Sequence, residues 1–275
     1  MDPNINYFNI LFFGLLGGFI PALVWLFFWL REDKKNPEPK RMILLAFIGG
    51  LLAVAISLYI EKLAYEINLK HLFSFEAYKN FMSWLQDYAR SGDIAFEKLA
   101  LVSIFAPVIE EVFKYLFAWL LVLRSRYDDE PIDPAIYMIT VALGFAALEN
   151  VIFLLDPLIK HEVVNSVMTG NMRFIGATIL HTISSATIGM FIAFNFYDSR
   201  FKKFLWTLTG LVCAIITHSV FNFFMVSRSS STSFMTYSVI WLFAIVLLFM
   251  FEKIKTVKIR STSVNKPKKL PNIAQ

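Results

Sequence analysis

The sequence predicts an all-α fold, a polytopic membrane bundle of about seven transmembrane helices with its N-terminus outside and its C-terminus cytoplasmic. Three observations carry this expectation. First, 57% of the 275 residues are hydrophobic and only 17% are charged, whereas charged residues make up about 25% of a soluble domain. Second, seven apolar segments recur at about 7–30, 42–60, 97–123, 135–155, 173–196, 204–226 and 234–252. Each has the length of a bilayer-crossing helix, about 20 residues, where a barrel strand needs only about 9–11. Third, the stretches 31–41, 124–134, 197–203 and 253 onward hold 17 Lys and Arg, against 7 in the N-terminus and the loops 61–93, 156–173 and 227–233. The basic side of such a bundle is the cytoplasmic one.

The first segment reads as a retained helix rather than a signal peptide. MDPNINY has no basic n-region, the apolar run is long, and Arg31, Lys34 and Lys35 follow it, so it stays as a helix. In the outer loop 61–93, Tyr78, Phe81, Leu85 and Tyr88 recur at helical intervals beside Trp84, which predicts an amphipathic helix on the outer interface. In PIDPAIY, Asp133 is placed to cap the fourth helix and Pro134 to begin it. Residues 1–260 read as a single transmembrane domain with a motif-bearing core at 99–226, and the Lys/Pro-containing tail 261–275 reads as disordered. Cys213 is the only cysteine, which rules out an intramolecular disulfide and a cysteine zinc site. The net charge of +5 sits in short loops and the tail. It reports membrane topology, and it implies the lipid bilayer rather than nucleic acid as a partner.

A few ionisable and polar residues interrupt these apolar segments: Glu110, Glu111 and Lys114 on the third, Glu149 and Asn150 on the fourth, His181, Ser184 and Ser185 on the fifth, His218 and Asn222 on the sixth. Each charge at that depth costs roughly 2.5–3.5 kcal/mol on insertion scales. At a rise of about 1.5 Å per residue, Glu149, His181 and His218 fall roughly 9–14 Å below the outer surface and Glu110 roughly 17 Å. Helices of opposite direction thus bring these groups to similar depths. Glu110 and Lys114 are four residues apart, as are His218 and Asn222, so each pair shares a face. Glu111 is rotated by about 100° from Glu110.

These residue types permit hydrolysis. A poorly solvated carboxylate is a suitable base for deprotonating water. Histidine and asparagine can donate hydrogen bonds to the oxyanion formed at a carbonyl, and Lys114 can hold one glutamate ionised. Alternatively, Glu149, His181 and His218 are candidate ligands for a catalytic Zn2+ with an open water position, although no ligand pair has the HExxH spacing. Ser184 and Ser185 lie beside His181 but are expected to point elsewhere on the helix, without an elbow motif. The bland alternatives are an insertion-softening ion pair for Glu110 and Lys114 and interhelical hydrogen bonding for the others.

The motifs resemble those of a known family. EEVFK at 110–114 resembles the EExxK motif of the PrsW intramembrane proteases, FAALE at 145–149 its FxxxE motif, and LHTISSATIG at 180–189 and HSVFN at 218–222 its two histidine-bearing helices. The ordered set is similar, more distantly, to the group containing the CAAX prenyl endopeptidases and bacteriocin-processing enzymes. The resemblance implies a multi-pass protease of the cell membrane that acts on membrane-anchored proteins, with bacterial anti-sigma factors the known example. It implies Glu110 as the base, Glu111 as a supporting carboxylate, His218 with Asn222 as the oxyanion group and His181 as an orienting residue. No cofactor is required on that reading, while the metalloprotease label often given to the family corresponds to the Zn2+ alternative. Glu149 stands where prenyl endopeptidases carry histidine, and Lys114 replaces an arginine one position further on.

Two other classes compete. An ion- or proton-coupled transporter also buries ionisable groups, and it predicts Gly/Pro-broken helices in repeated halves; Gly14, Gly17, Gly18, Pro21, Gly49 and Gly50 lie only in the first two segments. A scaffold without catalysis has no use for Glu110, Glu111, His181 and His218 together. The charge asymmetry makes its own prediction. Reporter fusions after Ser263 should report the cytoplasm and insertions within 70–90 the outside, and cytoplasmic labelling of 70–90 overturns the topology.

Overall fold

The computed structural model describes residues 7–34, 36–66, 101–226 and 230–257, with single positions at 83, 87 and 99. Among these residues there are seven helices and no strand. Helix α1 is Tyr7–Trp29 and α2 is Lys40–Glu66. Helix α3 opens with a π-helical turn, Leu101–Phe105, and continues as Ala106–Leu121. Helix α4 is Asp133–Ile159, and α5 is Val163–Phe194 with a π-helical turn at Arg173–Ala177. Helix α6 is Arg200–Val226 and α7 is Ser230–Ile254.

Six of the seven are long and apolar enough to cross a membrane. The exception is α3, where Glu110, Glu111 and Lys114 interrupt the apolar run and turn into the bundle. The interfacial helix expected in 61–93 and the tail 261–275 lie outside the described residues. Two boundaries differ from expectation: α2 runs on to Glu66, six residues into the stretch 61–93 read as a loop, and the start of the fifth helix also moves. The fifth helix begins at Val163 rather than about 173, so much of the connection 156–173 is helical. The charge of Arg173 resembles a segment end in the sequence, but its guanidinium bonds Glu149 of α4 at 2.6 Å, so the helix continues past it.

Helix α4 is the centre of the bundle. Every residue from Ile132 to Ala147 is buried, as expected of a helix apolar on all sides, and α1, α2 and α5 pack around it. Apolar burial does not drive helices together within lipid; packing does, and small residues permit it. A Cβ at Gly50 of α2 would strike the Val141 carbonyl, and one at Gly144 of α4 would strike the Phe47 carbonyl. On the other flank, a Cβ at Gly18 of α1 would fall 2.5 Å from the Ala147 oxygen and 2.8 Å from the Val151 nitrogen. Because α1 runs unbroken through Pro21 and α2 through Gly49, these glycines serve close packing rather than helix breaks. Trp29 of α1 stacks on Phe251 of α7 at 5.5 Å between ring centres, and large apolar side chains such as Phe8, Phe27 and Phe249 cover the outer faces.

At the Lys/Arg-rich end, Asp133 does not cap its own helix. Its Oδ2 accepts the N–H groups of Asp129 at 2.9 Å and Glu130 at 2.6 Å, closing the preceding turn, while Pro134 occupies the first turn as expected. The α2–α4 contact can be tested directly. Gly144→Val should lower the thermal midpoint in detergent by the equivalent of about 1–3 kcal/mol, the usual cost of overpacking. Gly170→Ala, where the nearest atom is Leu154 Cδ2 at 3.7 Å, should leave it unchanged.

Candidate active site

Helix α3 directs Glu110, Glu111 and Lys114 into the bundle, where α4, α5 and α6 supply their partners. Lys114 has no exposed surface. Its Nζ lies 2.8 Å from Glu111 Oε1, 2.8 Å from His181 Nδ1 and 3.5 Å from Glu110 Oε2, and 4.1 Å from the centre of the Phe145 ring. Carboxylate, imidazole and aromatic face together offset the loss of hydration, which a bare buried ammonium could not survive.

Glu111 is the most heavily bonded carboxylate of the group. Oε1 accepts Lys114 at 2.8 Å, Ser184 Oγ at 2.9 Å and His218 Nδ1 at 2.9 Å, and Oε2 accepts Ser185 Oγ at 2.9 Å. The two serines therefore face the site, contrary to the expectation that they point elsewhere. Ser184 and Ser185 are three and four residues after His181, and those are the spacings that share a helix face.

Glu110 is different. Its only hydrogen bond among the described residues is the long one from Lys114 at 3.5 Å. Its Oε2 also lies 3.8 Å from both His181 Nδ1 and His218 Nε2, too far for direct bonds. The opposite ring nitrogens are held: His181 Nε2 by Glu149 Oε2 at 2.7 Å and His218 Nδ1 by Glu111. Each histidine thus turns one nitrogen toward Glu110 and hands the other to a carboxylate.

Glu149 is fixed in turn by Arg173 at 2.6 Å, and Arg173 also donates through Nε to Asn150, which donates to Thr178 at 3.1 Å. Asn222 stands apart from this network and donates to the Val102 carbonyl at 3.0 Å. Val102 and Arg173 belong to the two π-helical turns, a distortion that recurs at functional sites. A cavity of about 530 Å³ opens beside the cluster, lined by Glu149, Arg173, His181, His218 and Asn222 among others. The sequence reading singled out all of these except Arg173. The available signal was its position just inside the apolar part of α5, two turns before His181.

Such a cluster, buried among helices of membrane-crossing length and bordering one cavity through Glu149, His181 and His218, has the residue types of an intramembrane hydrolase. A family model described as PrsW family intramembrane metalloprotease matches residues 38–250. The chain belongs to that family, and it is a multi-pass membrane endopeptidase. It is 23% identical to "Protease PrsW" of Bacillus subtilis (strain 168) over 251 residues, covering 90% of this chain and 95% of the relative. It is 23% identical to that of Oceanobacillus iheyensis over 85% of the chain and 92% of the relative, and 24% identical to that of Clostridioides difficile (strain 630) over 75% and 76%. No solved structure gives a significant match.

The family description raises the question of a metal. Glu110, His181 and His218 each offer one ligand atom, all within 4.8 Å of one another. Two neutral-capable imidazoles and a carboxylate, each ring backed by a second carboxylate, are a zinc-type donor set with its orienting shell. Glu149, considered as a ligand from sequence, lies behind His181. The set fits an ion provided that Lys114 leaves His181 Nδ1. If the serines act as donors to Glu111, Ser184→Ala and Ser185→Ala should each lose about 1–3 kcal/mol of stability in a detergent unfolding assay yet keep measurable cleavage of a membrane-anchored substrate. Complete loss of cleavage by a folded Ser184→Ala protein points to a serine nucleophile instead.

Proposed function

We propose that this chain hydrolyses a peptide bond of membrane-anchored protein substrates with Glu110 as the general base. The observation that carries the proposal is the contrast between the two adjacent glutamates. Glu111 already accepts four hydrogen bonds, so it has little capacity left for a water. Glu110 faces a gap, 3.8 Å from two ring nitrogens, that a small ligand bridges.

In this reading a water held at Glu110 Oε2 loses its proton to that carboxylate as it attacks the scissile carbonyl, and Glu110 then passes the proton to the leaving amine. His218, anchored through Nδ1 by Glu111, donates from Nε2 to the developing oxyanion when protonated. Asn222 spends one amide hydrogen on Val102 and has the second for the same oxygen. His181, held by Glu149 and Lys114, orients the water. Lys114 keeps Glu111 in place.

A second reading is favoured by the donor set of Glu110, His181 and His218. Those residues would hold a Zn2+, which when bound supplies an acidic water and polarises the carbonyl. Substrate entry from the lipid is supported by an apolar cavity of about 520 Å³ between α6 and α7, lined by Ile216, Val220, Ile240 and Phe243 and sharing Phe221 with the site cavity. The Lys/Arg asymmetry supports a cavity mouth on the outer side of the cell membrane, with the C-terminus cytoplasmic.

Cleavage of a single-pass model substrate by detergent-purified protein, with metal analysis of each variant, tests these readings. Glu110→Gln should abolish cleavage while the protein remains folded, because the amide keeps the shape and loses the base. Asn222→Ala should lower turnover by about 10²–10³-fold, the cost of one oxyanion donor, without changing metal content. His218→Ala should lower turnover similarly if it donates to the oxyanion, and should also strip metal if it is a ligand. Substantial cleavage by Glu110→Gln shows that another group is the base.

A further inference from the structure

A second carboxylate cluster lies at the other end of α4, remote from the glutamate–histidine site. Asp33 and Glu38 come from the connection between α1 and α2, and Asp133 from the first turn of α4. One oxygen from each lies within 4.8 Å of the others, and Asp33 and Asp133 are 4% and 1% exposed.

Protein donors already hold one oxygen of every member. Asp33 Oδ2 accepts the Glu38 N–H at 3.2 Å, Glu38 Oε2 accepts the Tyr137 hydroxyl, and Asp133 Oδ2 accepts two backbone N–H groups. The other oxygens are left for one another. Asp133 Oδ1 in particular is buried and has no hydrogen-bond partner. Among the described residues no Lys or Arg side chain forms an ion pair with any of the three; the nearby Lys255 bonds Glu32 at 2.8 Å and Glu252 at 2.6 Å instead.

We propose that Asp33, Glu38 and Asp133 bind a hard divalent cation, Ca2+ or Mg2+, that clamps the α1–α2 connection to the start of α4. The donors are all oxygens, the preference of these two ions rather than of zinc. Their spacing suits one ion with metal–oxygen distances of about 2.1–2.4 Å after modest closure. The backbone N–H groups and Tyr137 orient the second oxygens, as outer partners do at metal sites. Waters complete the shell. The clamp joins the loop between two helices to the helix that carries Glu149.

The test uses the full chain, purified in detergent, stripped with chelator and carrying His218→Ala so that the other cluster cannot account for the result. Calorimetric titration with CaCl2 and, separately, with MgCl2 should show saturable binding of one ion per chain. The thermal midpoint should rise by about 5 °C at saturation, the size expected from linkage. Asp133→Asn and Glu38→Gln should each weaken that binding at least 10-fold. Asparagine keeps the acceptor for the backbone N–H groups and glutamine keeps the acceptor for Tyr137, so if one variant fails to fold the other decides. Absence of binding by either ion, or binding unchanged in a folded Glu38→Gln or Asp133→Asn protein, overturns the proposal.

Discussion

The ion pair between Lys114 and Glu111 is the constraint around which the rest of the structure is arranged. Neither side chain has any exposed surface, and removing one partner of such a pair typically costs about 3–5 kcal/mol because the other charge is left uncompensated. The pair lies on one helix, but the groups that make its burial tolerable do not. Phe145 comes from α4, His181, Ser184 and Ser185 from α5, and His218 from α6. Satisfying one lysine and one glutamate therefore fixes where three other helices must sit. That is how a helix interrupted by three charges holds its place in a membrane bundle.

The same demand separates the roles of two neighbouring carboxylates. Glu111 is consumed by structure, and its position is determined by four donors on three helices. Glu110, one residue earlier and about 100° around the helix, escapes most of these bonds and faces the two imidazoles at 3.8 Å. A saturated anchor beside an under-coordinated acid gives a site that is rigid and still able to take a proton or a ligand. Two π-helical turns contribute at its edge, one offering the Val102 carbonyl to Asn222 and the other carrying Arg173 to Glu149.

Helix α4 joins this site to the carboxylates at the opposite end of the bundle. It carries Asp133 in its first turn and Glu149 four turns later, and between them Gly144 lets α2 approach to backbone contact. A helix buried on all sides has little room to move by itself. Its position follows from the small residues of its neighbours as much as from its own.

Much of this protein is determined by its sequence locally. Apolar segment lengths and the Lys/Arg asymmetry define a helical membrane bundle, since both reflect transfer from water to lipid, which each segment undergoes with little regard for the others. The i,i+4 pairs and the shared depth of Glu110, Glu149, His181 and His218 are likewise consequences of helical rise. The ordered motifs placed the chain in its family. Only the tertiary structure decided which ring nitrogen meets which carboxylate, that Ser184 and Ser185 serve Glu111, that Arg173 lies inside a longer α5, and that Asp33, Glu38 and Asp133 converge. Those outcomes depend on the rotation and separation of helices far apart in the chain. Packing of small residues and pairing of buried charges set these quantities, and no periodicity within a single segment encodes them.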